Sequence, residues 1–138
     1  MARYIAIDHG IKRIGLAIGD RETGVVTPLD VVAACNEPNA DVEAVLAVVS
    51  QYAVDALVVG LPLNMDDTEG AQAKLTRAFG TRLAEVADLP VHYPDERLSS
   101  FTADERLDEL DPTRQQRRRH RDKLAAAAIL EAYLATLP

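Results

Sequence analysis

Short apolar runs open the chain and longer periodic ones close it. Residues 3–8 (RYIAID) form an apolar run ending in an acid, and residues 14–19 (IGLAIG) form a second after the turn-like GIKR. Together they predict a hairpin. A third run at 25–32 (VVTPLDVV) continues the meander, and Pro28, which has no amide donor, pushes that strand toward an edge or a bulge. From Asp41 to Ala53 the apolar positions Val42, Val45, Leu46, Val49, Tyr52 and Ala53 recur at helical spacing, with Asn39 as the expected cap after Pro38. The almost wholly apolar stretch from Ala56 to Leu61 predicts a central strand covered on both faces.

Leu75, Phe79, Leu83 and Val86 mark a second helix, entered through the loop NMDDTEG with Thr68 near its start, and PVHYP at 90–94 reads as a short strand. Residues 99–110 predict a third helix, in which Thr102 and Glu105 have capping-box spacing and which Asp111 and Pro112 end. The alanine-rich KLAAAAILEAYLATL is a strong terminal helix with Leu124, Ala127, Leu130, Leu134 and Leu137 on one face. Three strands, then helix, strand, helix, strand, helix, helix imply an α/β fold with a mixed five-stranded sheet: three antiparallel strands followed by parallel crossovers, flanked by helices. With 138 residues, no internal repeat and no linker, the chain is expected to form one domain over 1–138.

Charge changes the picture. The net charge is −7, but residues 114–123 (RQQRRRHRDK) hold six of the fifteen Lys and Arg and a single acid, a local +5 that leaves −12 for the remainder. An acidic body carrying a basic strap is the arrangement expected of a protein that meets a polyanion through one segment, with binding that weakens steeply as salt rises. The plainer reading of such a run is a solvated helix face or a mobile loop. Two Phe, four Tyr and no Trp make base-stacking platforms scarce, so contact would run through phosphates. Cys35 is the only cysteine, which excludes an internal disulfide and a cysteine-rich metal site and fits a reducing compartment, the cytoplasm. The opening MARYIAIDHG breaks its apolar run at Asp8, so neither a leader nor a membrane span is expected there.

Three acids stand where chemistry could occur. Asp8 closes the first strand before a turn containing Gly10, so its carboxylate should project from the sheet end; an Asp-x-Gly turn alone says no more than that. Asp95 and Glu96, in PDERLSS, follow the last strand at the carboxyl edge where ligands of α/β sheets bind, unless they are simply solvated. Asp122 is the acid within the basic strap, expected at the start of the terminal helix, where it would also satisfy the helix dipole. The small side chains from Ala125 to Ala128 would let that helix approach the sheet and carry Asp122 toward Asp8. Carboxylates gathered at one sheet edge repel unless a cation joins them, and hard oxygen ligands select Mg²⁺ or Mn²⁺. Two such ions could serve in-line phosphodiester hydrolysis. Phosphate would have to be neutralised locally, by Lys12, Arg13 and Arg97 near the acids and by Arg114, Arg117, Arg118, Arg119, Arg121 and Lys123 in the strap. His9, His92 and His120 lack ligand spacing; the first two read as structural or incidental, the third as part of the strap.

Four blocks, IAIDHGIKRIGLAIGD at 5–20, VVGLPLNMDDTEG at 58–70, DERLSSFTADERL at 95–107 and RDKLAAAAILEAYL at 121–134, give the chain a resemblance to the YqgF or RuvX-like family of pre-16S rRNA nucleases and Holliday junction resolvases. The resemblance spans nearly the whole chain. It implies an RNase H-like fold, dependence on Mg²⁺ or Mn²⁺, catalytic and metal-holding acids at Asp8, Glu96 and Asp122, and a nucleic-acid contact at Asn64 in the GLPLNMD block. The implied substrate is structured RNA, the pre-16S rRNA, or branched DNA, and the implied assembly a monomer or homodimer. The chain departs from the family in two places: Asp67 stands where a glycine is usual, and Arg121 where a small apolar residue commonly precedes the last acid. Two rivals remain. An actin-like ATP-binding lobe also opens with an Asp-x-Gly hairpin but needs a second lobe for which this chain lacks the length; a module that binds nucleic acid without cutting it would leave the three acids idle.

Overall fold

The computed structural model describes residues 2–98 and 114–138. The expected third helix at 99–110, with Thr102 and Glu105, lies outside the described residues. The opening runs become strands β1 (Arg3–His9), β2 (Arg13–Asp20) and β3 (Val26–Ala33), paired antiparallel in sequence. β4 (Ala56–Val59) joins the other side of β1 in parallel, and β5 (Val91–His92) joins β4 in parallel, giving the order β3-β2-β1-β4-β5. Pro28 sits in the edge strand β3, at a bulge: Leu16 faces Asp30, Ala17 faces Pro28, and Leu29 has no opposite number.

Helix α1 (Pro38–Val49) starts and ends earlier than its periodicity predicts. Its cap is Glu37 rather than Asn39: the Glu37 carboxylate accepts from the amides of Asn39 (3.2 Å) and Ala40 (2.7 Å), and Pro38 takes the first helical position, where a missing amide costs nothing. Helix α2 (Ala71–Ala87) is rolled relative to the predicted face. Phe79 and Leu83 are buried, but Leu75 and Val86 are exposed, and Ala73, Thr76 and Gly80 complete the inner stripe. Helix α3 (Arg114–Ala135) is longer than expected because the basic strap forms nearly its N-terminal half. Arginine and glutamine are good helix formers. Asp122 therefore lies more than two turns inside the helix, and the dipole account of that acid falls away.

The sheet has two unlike faces, set by strand alternation. Ile5, Ile7, Ile14, Leu16, Leu57 and Val59 pack against Val42, Val45 and Val49 of α1 and Phe79 and Leu83 of α2. Tyr4, Ala6, Ala56 and Val58 meet Ile129 and Leu130 of α3, while Ala17 meets Ala126 and Ala127. Gly15 and Gly19 flank Ala17 on this second face. A methyl on Gly15 would overlap the backbone carbonyl of Asp122, and one on Gly19 would stand 2.8 Å from a Leu130 methyl. Small residues at every second position of β2 thus let α3 lie unusually close. Among the described residues, no helix is long and apolar enough to cross a membrane.

Candidate active site

Asp8 is the penultimate residue of β1, on the α3 face, and its register partner on β2 is Gly15. Because Gly15 is also where α3 touches the sheet at Asp122, one glycine brings the two acids together across three elements. The third arrives from the far side. After β5, Asp95 forms a parallel bridge with Leu61, the Leu61 amide donates to the Pro94 carbonyl (2.9 Å), and the Glu96 amide donates to the Leu61 carbonyl (3.0 Å). These bonds extend the β4–β5 ladder by a few residues and seat the 3-10 turn Glu96–Leu98 at the sheet edge.

There the Asp8 and Glu96 carboxyls lie close enough for each to bear on the other's ionisation. Asp8 is pushed up to about 8, chiefly by burial, then by the charge of Glu96, its hydrogen bond, and the charge of Asp122. Glu96 is also raised, first by burial and further by Asp95, against the opposing effect of its bond to Asp8. Asp95 behaves oppositely: its hydrogen bonds with Arg97 hold its carboxyl below the usual range. The neighbouring acids that the sequence leaves open are thereby separated, Asp95 bound to Arg97 and Glu96 set beside Asp8. Asp122 is ion-paired with the Nε of Arg13, the first residue of β2.

The donor set is carboxylate oxygen, and the Asp8–Glu96 pair is one that a proton or a cation must neutralise, which suits a hard divalent ion such as Mg²⁺ or Mn²⁺. Among the described residues, no three His, Cys, Asp or Glu side chains already stand as a metal-holding group. Asp122 is engaged by Arg13, as its ion pair shows.

The remaining expected contacts fall in two groups. Lys12 is exposed on the β1–β2 turn. Arg13 and Arg97 have carboxylates as partners rather than open approaches to phosphate, Arg97 bonding Asp95, Asp67 and the Asn64 carbonyl. The Asn64 amide donates to the Thr68 hydroxyl (3.0 Å), inside the loop that follows β4. Arg114, Arg117, Arg118 and Arg119 lie in the first turns of α3, and Arg121 and Lys123 flank Asp122. His9, next to Asp8 but on the opposite face, is buried: it stacks on Phe79 (centroids 4.5 Å), meets the Thr76 hydroxyl (3.1 Å) and faces Asp41 (3.8 Å). His92 stacks on Tyr133. Sequence reasoning missed the platform of Gly15, Ala17 and Gly19; the signal was the alternation of small residues with Leu16 and Ile18.

The family described as RuvX: Holliday junction resolvase matches residues 2–136. A protein of Anaeromyxobacter sp. named "Putative pre-16S rRNA nuclease" is 42% identical over 132 residues, covering 96% of each chain. A protein of the same name from Pelotomaculum thermopropionicum is 41% identical over 132 residues, 96% of this chain and 86% of the relative. Among solved structures, T. thermophilus RuvC in complex with a Holliday junction substrate superposes with a TM-score of 0.58 at 18% identity, over 98% of this chain and 96% of that one. That likeness identifies the fold as RNase H-like.

Proposed function

This chain belongs to the RuvX family, and from that membership we propose that it is a divalent-metal-dependent endonuclease hydrolysing phosphodiesters in structured nucleic acid. The substrate is a precursor of 16S rRNA or a four-way DNA junction, the setting is the cytoplasm, and the working unit is a monomer or a twofold dimer. Asp8, Glu96 and Asp122 are the catalytic acids. The observation that carries this reading is the convergence at one sheet edge of Asp8, whose register partner Gly15 is where α3 brings Asp122, and Glu96, seated by its amide bond to the Leu61 carbonyl, with the Asp8 carboxyl raised by burial and by the other two acids.

Mg²⁺ or Mn²⁺ bound there would supply the polarisation of water and the neutralisation of the leaving oxygen. The chain's own residues do the rest. Asp8, held on β1, and Glu96, held by its amide bond to the Leu61 carbonyl, would serve such an ion as unprotonated oxygen donors. Asp122 would add a third donor from α3, and the Arg13 guanidinium, paired with Asp122, lies beside the site, where it would meet a phosphodiester oxygen. Lys12 and the arginines of α3 hold the backbone of the substrate, offsetting the repulsion of the acidic body.

The test is cleavage of junction DNA and of precursor rRNA with Mg²⁺ or Mn²⁺ by the parent and by Asp8→Asn. The parent should cut at least one substrate and Asp8→Asn should lose about 10³-fold or more in rate, the scale of losing a transition-state electrostatic partner. Equal activity in both proteins, or none in the parent on either substrate, ends the nuclease reading.

A further inference from the structure

We propose that Arg97 is a positioning residue that fixes Glu96 by clamping the loop after β4 to the turn after β5, with Asp67 as its second anchor. The inference rests on the reading of Glu96 as a catalytic acid. It begins with where the guanidinium is spent. Nε donates to both Asp95 oxygens (3.0 Å each), Nη1 to the Asn64 carbonyl (2.8 Å), and Nη2 to Asp95 (2.6 Å) and Asp67 (2.6 Å). All three nitrogens are engaged, and the partners belong to segments about thirty residues apart in sequence. The Arg97 amide also donates to Asp95 (2.9 Å), so the residues on either side of Glu96 are tied to each other.

The other half of the clamp is itself well determined. Asn64 and Thr68 exchange a backbone bond (2.9 Å) and a side-chain bond (3.0 Å), the Asp67 amide donates to the Asn64 carbonyl (3.0 Å), and Asp66 accepts from both the amide and the hydroxyl of Thr68 (3.1 and 2.5 Å). Asp67 has φ +70°, a left-handed backbone that glycine adopts without strain. An aspartate there bears a conformational cost in exchange for a carboxylate, and that carboxylate meets Arg97. The Asp67 side chain is 81% exposed and that of Arg97 36%. Pairs so open to water contribute little to folding. What five bonds in a planar fork do supply is orientation, and the residue they orient is the one between Asp95 and Arg97.

The experiment compares Arg97→Gln, Arg97→Lys and Asp67→Gly with the parent. Asp67→Gly keeps the turn, because glycine suits φ +70°, and removes only the anchor. Arg97→Gln should lower kcat about 10²-fold with KM within twofold, as expected when a reacting group is misplaced rather than substrate lost. Asp67→Gly should lower kcat about three- to tenfold, and Arg97→Lys, which keeps the charge but not the fork, should fall between parent and Arg97→Gln. Amide hydrogen exchange should speed up at Glu96 in Arg97→Gln and Asp67→Gly alike. A raised KM and a shallower salt dependence at unchanged kcat would overturn the proposal and make Arg97 a phosphate contact. If Arg97→Gln fails to fold, Asp67→Gly decides. If the parent neither cleaves nor binds Mn²⁺, the nuclease reading fails, and the clamp is judged by exchange alone: undisturbed protection of the Glu96 amide in Asp67→Gly overturns it.

Discussion

The two faces of the sheet are built to different specifications. On the α1–α2 face, Ile5, Ile7, Ile14, Leu16 and Phe79 fill the space between layers with large side chains. On the α3 face, β2 offers Gly15, Ala17 and Gly19, and the helix settles onto backbone. Large residues hold a helix away while burying more apolar area, so the first face supplies stability. Small ones surrender that area for nearness, and nearness is what brings Asp122 within electrostatic reach of Asp8. The contrast is plainest within one dipeptide. Asp8 faces α3 and its carboxyl is pushed up by burial and then by the acids beside it; His9 faces α1 and α2 and is held with Thr76, Asp41 and Phe79 around it.

The largest effect is expected at Asp8. Its folded value of about 8 lies above the ordinary 3.8, so between those values the folded chain binds more protons than the unfolded chain. Without divalent metal, stability should therefore fall as pH rises across that window, by at most about 1.4 kcal/mol per pH unit. Urea denaturation in chelator should show the slope in the parent and its loss in Asp8→Asn, with Asp8→Asn the more stable protein at pH 8. A flat parent profile would mean that Asp8 is neither buried nor crowded by the other acids to this degree.

Next come paired substitutions, one on each face. Phe79→Ala should cost about 3–5 kcal/mol, read from denaturant midpoints, while kcat per folded molecule changes little. Gly15→Ala should cost less, about 1–3 kcal/mol, because α3 must lift over the added methyl. It should nevertheless lower the cleavage rate about 10²-fold, since the lift carries Asp122 with it. If Phe79→Ala is the more damaging to rate, the division of labour between faces is wrong.

The smallest effect concerns His9. Burial pulls it below the ordinary 6.5, against the opposing influence of Asp41. The unfolded chain then takes up the proton first, so stability should decline as pH drops below 6.5 and level off once the folded imidazole also titrates. His9→Gln should remove that decline in the same denaturation series.

Much of the architecture was legible in the sequence because strand alternation and helical spacing are local. The five strands, the edge position of Pro28 and two of the helices follow from apolar runs alone. What was not legible depended on partners distant in the chain. Glu37 caps α1 because its side chain, not its place in a pattern, finds two amides. Leu75 fits a helical stripe yet is exposed, since Gly80 receives the Tyr93 ring and rolls α2 about its axis. Asp8, Glu96 and Asp122 could each be singled out, but that Asp95 belongs to Arg97, and Asp122 to Arg13, rests on pairings that no spacing encodes.

Helix α3 runs unbroken from Arg114 to Ala135, and so one rod bears both the positively charged turns and Asp122. At 1.5 Å per residue, Arg114 stands roughly 12 Å along the axis from that acid. Such a span is short enough to act as a lever. Under the proposed function, a polyanion docked on the outer turns and the acid on the inner ones would share one rigid body, so that the grip on one would set the place of the other.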